Sequence, residues 1–202
     1  MLEQDTSGSE VWEAESLLLE QGSDYVVEAP SGRGKTSLLS VIYGIRTDYQ
    51  GVVYLDDREL TSFSPKEWSQ IRKSKLSFIF QGLELFNDLS ALENIRLKNN
   101  ITSYHSEERI MEMARLLDIE AYLHRKAGIL SFGQQQRVAI IRALCQPFNF
   151  LLADECFSHV DHDNSLTAYQ LIREECDLRK AGLILTSLNE TGLPNPGVSL
   201  KL

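Results

Sequence analysis

Residues 24–36 read DYVVEAPSGRGKT, a short apolar strand pattern that passes directly into a loop rich in glycine. After the loop, Leu38, Leu39, Ile42 and Ile45 recur at the spacing of one helical face. Backbone N–H groups in such a loop can converge on phosphate oxygens, and the helix N-terminus adds its dipole. The order of strand, glycine loop and helix therefore predicts a phosphate-binding turn.

Two side chains of the loop carry the chemistry. Lys35 is placed to reach the β- and γ-phosphates of a nucleotide, and the Thr36 hydroxyl is placed to hold Mg²⁺. The first glycine of the usual pattern is Ala29 here, and alanine fits only where a positive φ is not required. The candidate nucleotide-binding residues are Pro30, Ser31, Gly32, Arg33, Gly34, Lys35, Thr36 and Ser37.

A carboxylate pair follows a second apolar strand pattern. Residues 150–153 read FLLA and are followed by Asp154 and Glu155. Ligands of parallel sheets lie at the carboxyl ends of the strands, so both carboxylates can point at the same nucleotide. Asp154 suits the Mg²⁺ shell, and Glu155 suits polarising an attacking water. The alternative interpretation, a solvated acidic turn after a buried strand, is less favoured because the same chain also contains the glycine loop.

The remaining patterns indicate one α/β chain. Strands are predicted at 11–20, 24–28, 76–80, 148–153, 183–186 and 198–200, and a hairpin is predicted over 51–60. Two helices are predicted to start at Ser64 and Ser90, and three more are predicted to cover 106–118, 132–145 and 163–180. We therefore expect a single domain over 1–202. Its α/β core covers about 11–81 and 129–202, and a mostly helical insert covers about 82–128.

Composition limits the function classes. The chain has 202 residues, 43% hydrophobic and 24% charged, as in ordinary globular proteins. Its formal net charge of −9 repels a nucleic-acid backbone, so no nucleic-acid partner is expected. No run approaches the roughly eighteen apolar residues of a membrane span, and residues 1–10 lack signal-peptide features, so we expect a cytosolic chain. Cys145, Cys156 and Cys176 lack metal-ligand spacing and are expected to be reduced thiols.

The most specific stretch of the sequence is LSFGQQQRVAIIRAL, residues 130–144. It resembles the signature of ABC transporter nucleotide-binding subunits, and a helix is expected to begin at its serine. The serine hydroxyl and the neighbouring N–H groups can form an anion site without a lysine. By this resemblance, the residues expected to contact ATP bound to a partner subunit are Ser131, Phe132, Gly133 and Gln134.

Further matches follow in the family's order. Gln81 ends a strand ahead of the helical insert, as the family's Q-loop glutamine does, and residues 158–161 resemble its D-loop. Residues 78–81 and 89–95 look most similar to the lipoprotein-release and macrolide-efflux branch. The resemblance implies catalytic roles for Glu155, Gln81 and Ser187, Mg²⁺ contacts for Thr36, Gln81 and Asp154, and a place near the partner subunit for Asp161.

The resemblance also implies an architecture and a mode of action. The expected fold is α/β, a P-loop NTPase of the ABC ATPase type, with a RecA-like core, a small antiparallel β subdomain and a helical signature subdomain. Two copies, as a homodimer, are expected to close head to tail around ATP and Mg²⁺. Their opening and closing would drive an integral-membrane permease. The permease would hold the chain on the inner, cytoplasmic face of the cell membrane.

Two departures from the family pattern concern rate and interface. The family's switch histidine is replaced by Ser187, a neutral side chain with one weak donor. Loss of a preorganised transition-state donor costs about 10²–10³ in rate, so slow hydrolysis is expected. Phe132 replaces the first signature glycine. Its ring is expected to alter packing across the dimer, with a tolerated surface aromatic as the alternative.

Two further departures concern base recognition and redox chemistry. Residues 1–10 hold no aromatic side chain that could stack on adenine, and Trp12 is expected to pack in the core, so weak base preference is expected. Cys156 stands where the family usually has proline. A small space-filling residue is favoured there over a redox role, in which oxidation would crowd the Glu155 carboxylate.

The sequence leaves four function classes to compare. The first is an energising ATPase subunit of a membrane transporter. The second is a regulatory module that closes on ATP but scarcely hydrolyses it, which Ser187 and Phe132 favour and the retention of Glu155 opposes. The third, a non-transport ABC ATPase of translation or chromosome maintenance, would call for tandem domains or a long coiled coil. The fourth, a small-molecule P-loop kinase, leaves residues 130–144 unexplained.

Overall fold

The structure, a computed structural model, describes residues 8–157, 162–188, 193–194 and 197–202. None of the helices in these ranges is long and apolar enough to cross a bilayer. The strands are β1 Asp24–Glu28, β2 Tyr54–Leu55, β3 Arg58–Glu59, β4 Leu76–Ile79, β5 Phe150–Asp154, β6 Gly182–Ser187 and β7 Val198–Lys201. The α-helices are α1 Lys35–Ile42, α2 Pro65–Ser74, α3 Ala91–Thr102, α4 Glu107–Leu116, α5 Phe132–Leu144 and α6 His162–Arg179.

Five strands form one parallel sheet. Their order is β4-β5-β6-β1-β7, and each of the pairings runs parallel. The strands β2 and β3 form a separate antiparallel hairpin, which confirms the predicted hairpin over 51–60. Because all carboxyl ends of a parallel sheet lie at one edge, the segments that follow β1, β4, β5 and β6 meet there.

Helices cover both faces of the sheet. Leu151 and Leu183 lie in an apolar cluster with residues of α3, α4, α5 and α6. Their neighbours Leu152 and Ile184 point the other way, into a cluster with residues of α1 and α2. Each fully buried side chain of this size contributes about 1.5–3 kcal/mol. Successive residues along one strand are apolar because each face of the sheet packs against its own core.

Four helices are capped by a serine, and three of these caps are reciprocal. Ser64, Ser90 and Ser131 each accept a hydrogen bond from the backbone N–H three residues later, and the side chain at that later position accepts one from the serine N–H. Such a cap is worth about 1 kcal/mol. The predicted helix starts at Ser64 and Ser90 are confirmed, and Ser131 begins α5 as expected.

Two local predictions are wrong. Residues 11–20 form no strand, because the Ser9 hydroxyl accepts hydrogen bonds from the N–H groups of Val11 (3.2 Å) and Trp12 (2.9 Å) and turns the chain. Ile45 is not on the buried face of α1 but is 56% exposed. The helix ends at Ile42, and Gly44 with φ 70° redirects the backbone before Ile45 is reached.

A buried carboxylate joins the middle of the chain to α6. Glu175 of α6 is fully buried and contacts Arg109 (2.6 Å), Arg179 (2.5 Å) and His105 (3.1 Å). Burial by itself would raise the pKa of Glu175, but hydrogen bonds from His105, Arg109 and Arg179 outweigh it and lower this pKa to about 2. We call these four residues the Glu175 clamp. The division of the chain into a core and an insert remains a prediction.

Candidate active site

The glycine loop connects β1 to α1 at the carboxyl edge of the sheet. Gly34 precedes the helix with φ 98°, a conformation that favours glycine. Because Gly34 has no side chain to cap α1, the first N–H groups of the helix are available to an anion. Ala29 is buried and has no positive φ, so alanine is tolerated at that position.

Lys35 is the buried cation of the loop. Its Nζ donates to the carbonyls of Ala29 (2.6 Å) and Pro30 (3.1 Å), and it lies 3.1 Å from Glu155 Oε1. The Lys35 side chain is 4% exposed and that of Glu155 is 10% exposed. A lysine this deep needs partners of opposite or partial negative charge. The loop therefore holds an ammonium group that can exchange the carboxylate for phosphate oxygens.

Asp154 is anchored by two hydroxyl groups. Thr36 Oγ1 donates to Asp154 Oδ2 at 2.7 Å, and Thr186 Oγ1 donates to Asp154 Oδ1 at 2.7 Å. Thr186 also accepts a hydrogen bond from the N–H of Glu155 at 3.0 Å. We did not predict a role for Thr186 from the sequence. The feature of the sequence that could have indicated it is a hydroxyl residue near the end of an otherwise apolar strand. This residue lies beside the acidic pair on the neighbouring strand.

Glu155 is held between the loop and the end of β4. Gln81 Nε2 donates to Glu155 Oε2 at 3.1 Å. The backbone of Glu155 has φ 47°, an uncommon value for a residue with a side chain. Conformations of this kind cost on the order of 1–3 kcal/mol and persist where the surroundings hold them. Thr186 and Gln81 supply that support, so the carboxylate has a defined direction.

The residues of this cluster fit a magnesium nucleotide. The hydroxyl of Thr36 and the carboxylate of Asp154 are oxygen ligands of the kind that Mg²⁺ prefers. The part of the chain that the structure describes contains no group of three or more His, Cys, Asp or Glu side chains able to hold a metal. Mg²⁺ in phosphate sites commonly has one or two protein ligands and completes its shell with phosphate oxygens and water. Two protein oxygens are therefore a sufficient donor set.

Other predicted residues lie around this cluster. Ser187 ends β6, and its carbonyl accepts the N–H of Ala29 at 3.3 Å, so it lies beside the start of the loop. Ser37 accepts a hydrogen bond from Arg46 at 2.6 Å, a contact that the sequence did not indicate. Pro30, Ser31, Gly32 and Arg33 are exposed.

The signature residues belong to a different element. Ser131 and Phe132 are exposed at the start of α5, and Gly133 and Gln134 follow in its first turn. They are not part of the hydrogen-bonded cluster around Lys35. Asp161 lies outside the described residues. The structure thus brings together one group of predicted residues and leaves the signature as a separate surface.

The chain is similar to known proteins over most of its length. The family model described as ABC transporter matches residues 13–158. The chain is 34% identical over 176 residues to the lipoprotein-releasing system ATP-binding protein LolD of Chlorobium chlorochromatii, covering 85% of this chain and 72% of that protein. It is 34% identical over 162 residues to the macrolide export ATP-binding/permease protein MacB of Campylobacter jejuni, covering 79% of this chain and 25% of that protein.

Two solved structures share the fold. One is a dimeric bacterial ABC transporter cassette, with a TM-score of 0.80 and 28% identity, covering 92% of this chain and 84% of that one. The other is a dimeric post-hydrolysis state of an ATP-binding cassette bound to ADP and Pi. It has a TM-score of 0.77 and 28% identity, covering 86% of this chain and 78% of that one.

Proposed function

Because the chain belongs to the ABC transporter family and is an ATP-binding subunit, we propose that it hydrolyses ATP slowly, with Mg²⁺, to drive a membrane permease. The predicted family, its lipoprotein-release and macrolide-efflux branch, and the ABC ATPase fold are confirmed. Its relatives favour the transporter subunit over the regulatory module and the non-transport ATPase. The proposal is carried by the convergence of Lys35, Thr36, Asp154, Glu155 and Gln81 at one edge of the sheet.

The side chains divide the chemistry among them. Lys35 and the N–H groups of the glycine loop bind the phosphates, and Thr36 with Asp154 would hold Mg²⁺, which neutralises phosphate charge. Glu155 orients the attacking water and accepts its proton. Gln81 holds the same carboxylate from the opposite side. A charge held in a defined place needs no reorganisation during the reaction, which is how such a site lowers a barrier.

The dimer and the membrane location belong to the same proposal. Two copies of the chain close head to tail, so that Ser131 to Gln134 of one copy face the ATP held by Lys35 of the other. Asp161 stays a predicted interface residue. The dimeric ABC cassettes of similar fold support this arrangement. A permease then holds the dimer at the inner face of the membrane.

Identification of the membrane partner tests the proposed function. The tagged chain would be recovered from detergent-solubilised membranes of its own organism, and ATPase activity would be measured with and without the recovered protein in liposomes. Recovery of an integral-membrane protein in fixed ratio, with a change in ATPase rate, supports the proposal. Recovery with ribosomes and without a membrane protein would favour an ATPase of translation instead.

Ser187→His is expected to raise kcat by at least about tenfold. The imidazole would place a hydrogen-bond donor at the end of β6, where Ser187 has only a short hydroxyl. One preorganised donor is typically worth about 10²–10³ in rate. Steady-state ATPase assays at saturating MgATP would measure the change. Ser187→Ala serves as the matched control and should show no gain. An unchanged rate in Ser187→His would contradict the assignment of this position.

Peroxide is expected to leave ATPase activity intact. Cys156 is buried directly after the catalytic carboxylate, and its carbonyl accepts a hydrogen bond from Gln136. Burial raises the pKa of the Cys156 thiol, and the thiolate is the form that peroxide oxidises. Activity and intact mass would be followed through peroxide treatment of the wild type and of Cys156→Ala. Inactivation of the wild type alone would show a redox role.

A further inference from the structure

A guanidinium group contacts the first turn of α1. Arg46 Nη1 donates a hydrogen bond to Ser37 Oγ at 2.6 Å. The Nε and Nη2 atoms of the same arginine donate to the two carboxylate oxygens of Asp48 at 2.6 and 3.0 Å. The planar guanidinium therefore binds a carboxylate along one edge and a serine hydroxyl at its other end. We call these three residues the Arg46 bridge.

The backbone folds back along α1 to make this contact. Beyond the end of the helix, the N–H groups of Ile45 (2.9 Å) and Arg46 (3.1 Å) both donate to the carbonyl of Ser40. The positive φ of Gly44, 70°, allows this path. Ser37 and Ser40 are three residues apart and lie on the same face of the helix. The backbone thus holds Arg46 beside the last turn of α1, and its side chain reaches back to the first.

The first turn of α1 carries three side chains with separate contacts. Lys35 and Thr36 contact the acidic pair at 154–155, whereas Ser37 contacts Arg46. Successive residues of a helix point about 100° apart, so Ser37 faces a different direction from Thr36. Lys35 and Mg²⁺ act on the β- and γ-phosphates of a nucleotide, and the loop N–H groups also reach the α-phosphate. A nucleotide on this turn would therefore present its α-phosphate to Ser37.

Ser37 can offer a phosphate two hydrogen-bond donors. The first helical bond of α1 runs from the N–H of Leu38 to the carbonyl of Gly34 at 2.8 Å, so the Ser37 N–H belongs to the unbonded first turn. A serine hydroxyl has one proton and two acceptor sites. Arg46 occupies an acceptor site, which leaves the proton to be donated. A hydroxyl that accepts a bond from a cation is also polarised into a stronger donor.

Asp48 balances the charge of Arg46. Their hydrogen bonds raise the pKa of the Arg46 guanidinium and lower the pKa of the Asp48 carboxyl, so both groups stay charged. The two side chains are 40% and 55% exposed, and an exposed pair of this kind contributes little to folding. What the pair does provide is a fixed donor to a hydroxyl in the phosphate-binding turn.

We propose that Arg46 is a positioning residue for nucleotide binding, which holds the Ser37 hydroxyl so that its proton is donated to a non-bridging oxygen of the α-phosphate. The inference rests on the proposed binding of phosphates by the glycine loop, but it requires neither hydrolysis nor a permease. ATP and ADP carry the same α-phosphate. The bridge should therefore contribute equally to the binding of both nucleotides.

Nucleotide affinities test this role. Arg46→Met is expected to weaken the binding of MgATP and MgADP by the same factor, about three- to tenfold, with the loss in KM rather than in kcat. Ser37→Ala should cost at least as much. The double variant should bind no more weakly than Ser37→Ala alone, because Arg46 acts through the hydroxyl. Calorimetric titration of the full chain measures each affinity. Additive losses would overturn the route through Ser37.

A charge-neutral pair of variants excludes a general effect of charge. Arg46→Met/Asp48→Asn removes the bridge without changing the net charge, and it should weaken ATP binding as Arg46→Met does. The matched control is Arg115→Met/Glu120→Gln, which removes an exposed pair of α4 and its following turn. Its ATP affinity should equal that of the wild type. Full affinity in Arg46→Met/Asp48→Asn, or an equal loss in the control, would refute the positioning role.

A phosphorothioate separates positioning from a purely structural role. ATPαS carries sulfur, a weak hydrogen-bond acceptor, in place of one α-phosphate oxygen. One of its two diastereomers should bind the wild type severalfold more weakly than ATP does, and this difference should vanish in Ser37→Ala and shrink in Arg46→Met. ATPγS is the control, and its affinity relative to ATP should be the same in all three proteins. A diastereomer effect that is absent, or that persists in both variants, would overturn the inference.

The same titrations distinguish this inference from the proposed function. Weaker ATP binding in Lys35→Met but full affinity in Arg46→Met would refute the role of Arg46 and leave the glycine loop as the phosphate site. Full affinity in Lys35→Met would refute the phosphate site and the role of Arg46 with it. A lower Tm in Arg46→Met with unchanged ATP affinity would assign the Arg46 bridge to folding alone.

Discussion

Glu155→Gln is expected to lower kcat for ATP hydrolysis about 10²–10⁴-fold while ATP binding is retained. The amide keeps the size of the side chain and its contact with Gln81, but it cannot accept the proton of the attacking water. The replacement also removes the negative charge that lies 3.1 Å from Lys35 Nζ. The ammonium group then has no competing carboxylate, so affinity for ATP should be equal or higher.

Three measurements on the same sample check this result. ATPase rates give the loss in kcat, equilibrium binding gives the affinity, and size-exclusion chromatography with light scattering shows whether MgATP traps a dimer. Glu15→Gln, which alters an exposed carboxylate distant in sequence from the motifs, is the matched control. Hydrolysis within about threefold of wild type would exclude Glu155 as proton acceptor. A variant that hydrolyses slowly and never dimerises would argue against the head-to-tail arrangement.

Lys35→Met is expected to weaken ATP binding by about 30- to 4,000-fold, since loss of one partner of a buried charge pair costs about 2–5 kcal/mol. Methionine fills much of the same space but brings no charge to the phosphates. It also leaves Glu155 without the cation that lies 3.1 Å away. The free energy of unfolding should therefore fall by up to about 3 kcal/mol.

The double variant Lys35→Met/Glu155→Gln separates these two effects. Removing both charges should restore most of the lost stability, because neither partner is left unpaired, but it should not restore ATP affinity. Calorimetric titration with MgATP and denaturant unfolding measure the two quantities. If the double variant regained ATP affinity, the lysine would serve only to pair Glu155, and the phosphate-binding role would be wrong.

Local sequence patterns predicted much of the fold. Gly34 with its positive φ, and the capping serines Ser64 and Ser90, act on residues within one helical turn, so a sequence pattern contains the whole interaction. The parallel strands were predictable for a related reason. Runs such as residues 150–153 are apolar on successive positions because both faces of the strand are covered.

Interactions between distant parts of the chain could not be predicted in this way. Thr186 and Asp154 are 32 residues apart, and their hydrogen bond depends on the register of two neighbouring strands. The strand predicted over 11–20 failed for the opposite reason, since the hydroxyl of Ser9 offers a local alternative to pairing in a sheet.

The Glu175 clamp has a mechanical consequence. Arg109 of α4 binds the buried carboxylate of Glu175 in α6, so a force applied to α4 passes to α6 through a short, charge-assisted contact. Connections of this kind resist stretching, whereas the Gln81–Glu155 contact is a single hydrogen bond with one exposed partner. We expect α4 and α6 to move together as one rigid unit. Of the two connections, the one between Gln81 and Glu155 is the easier to break.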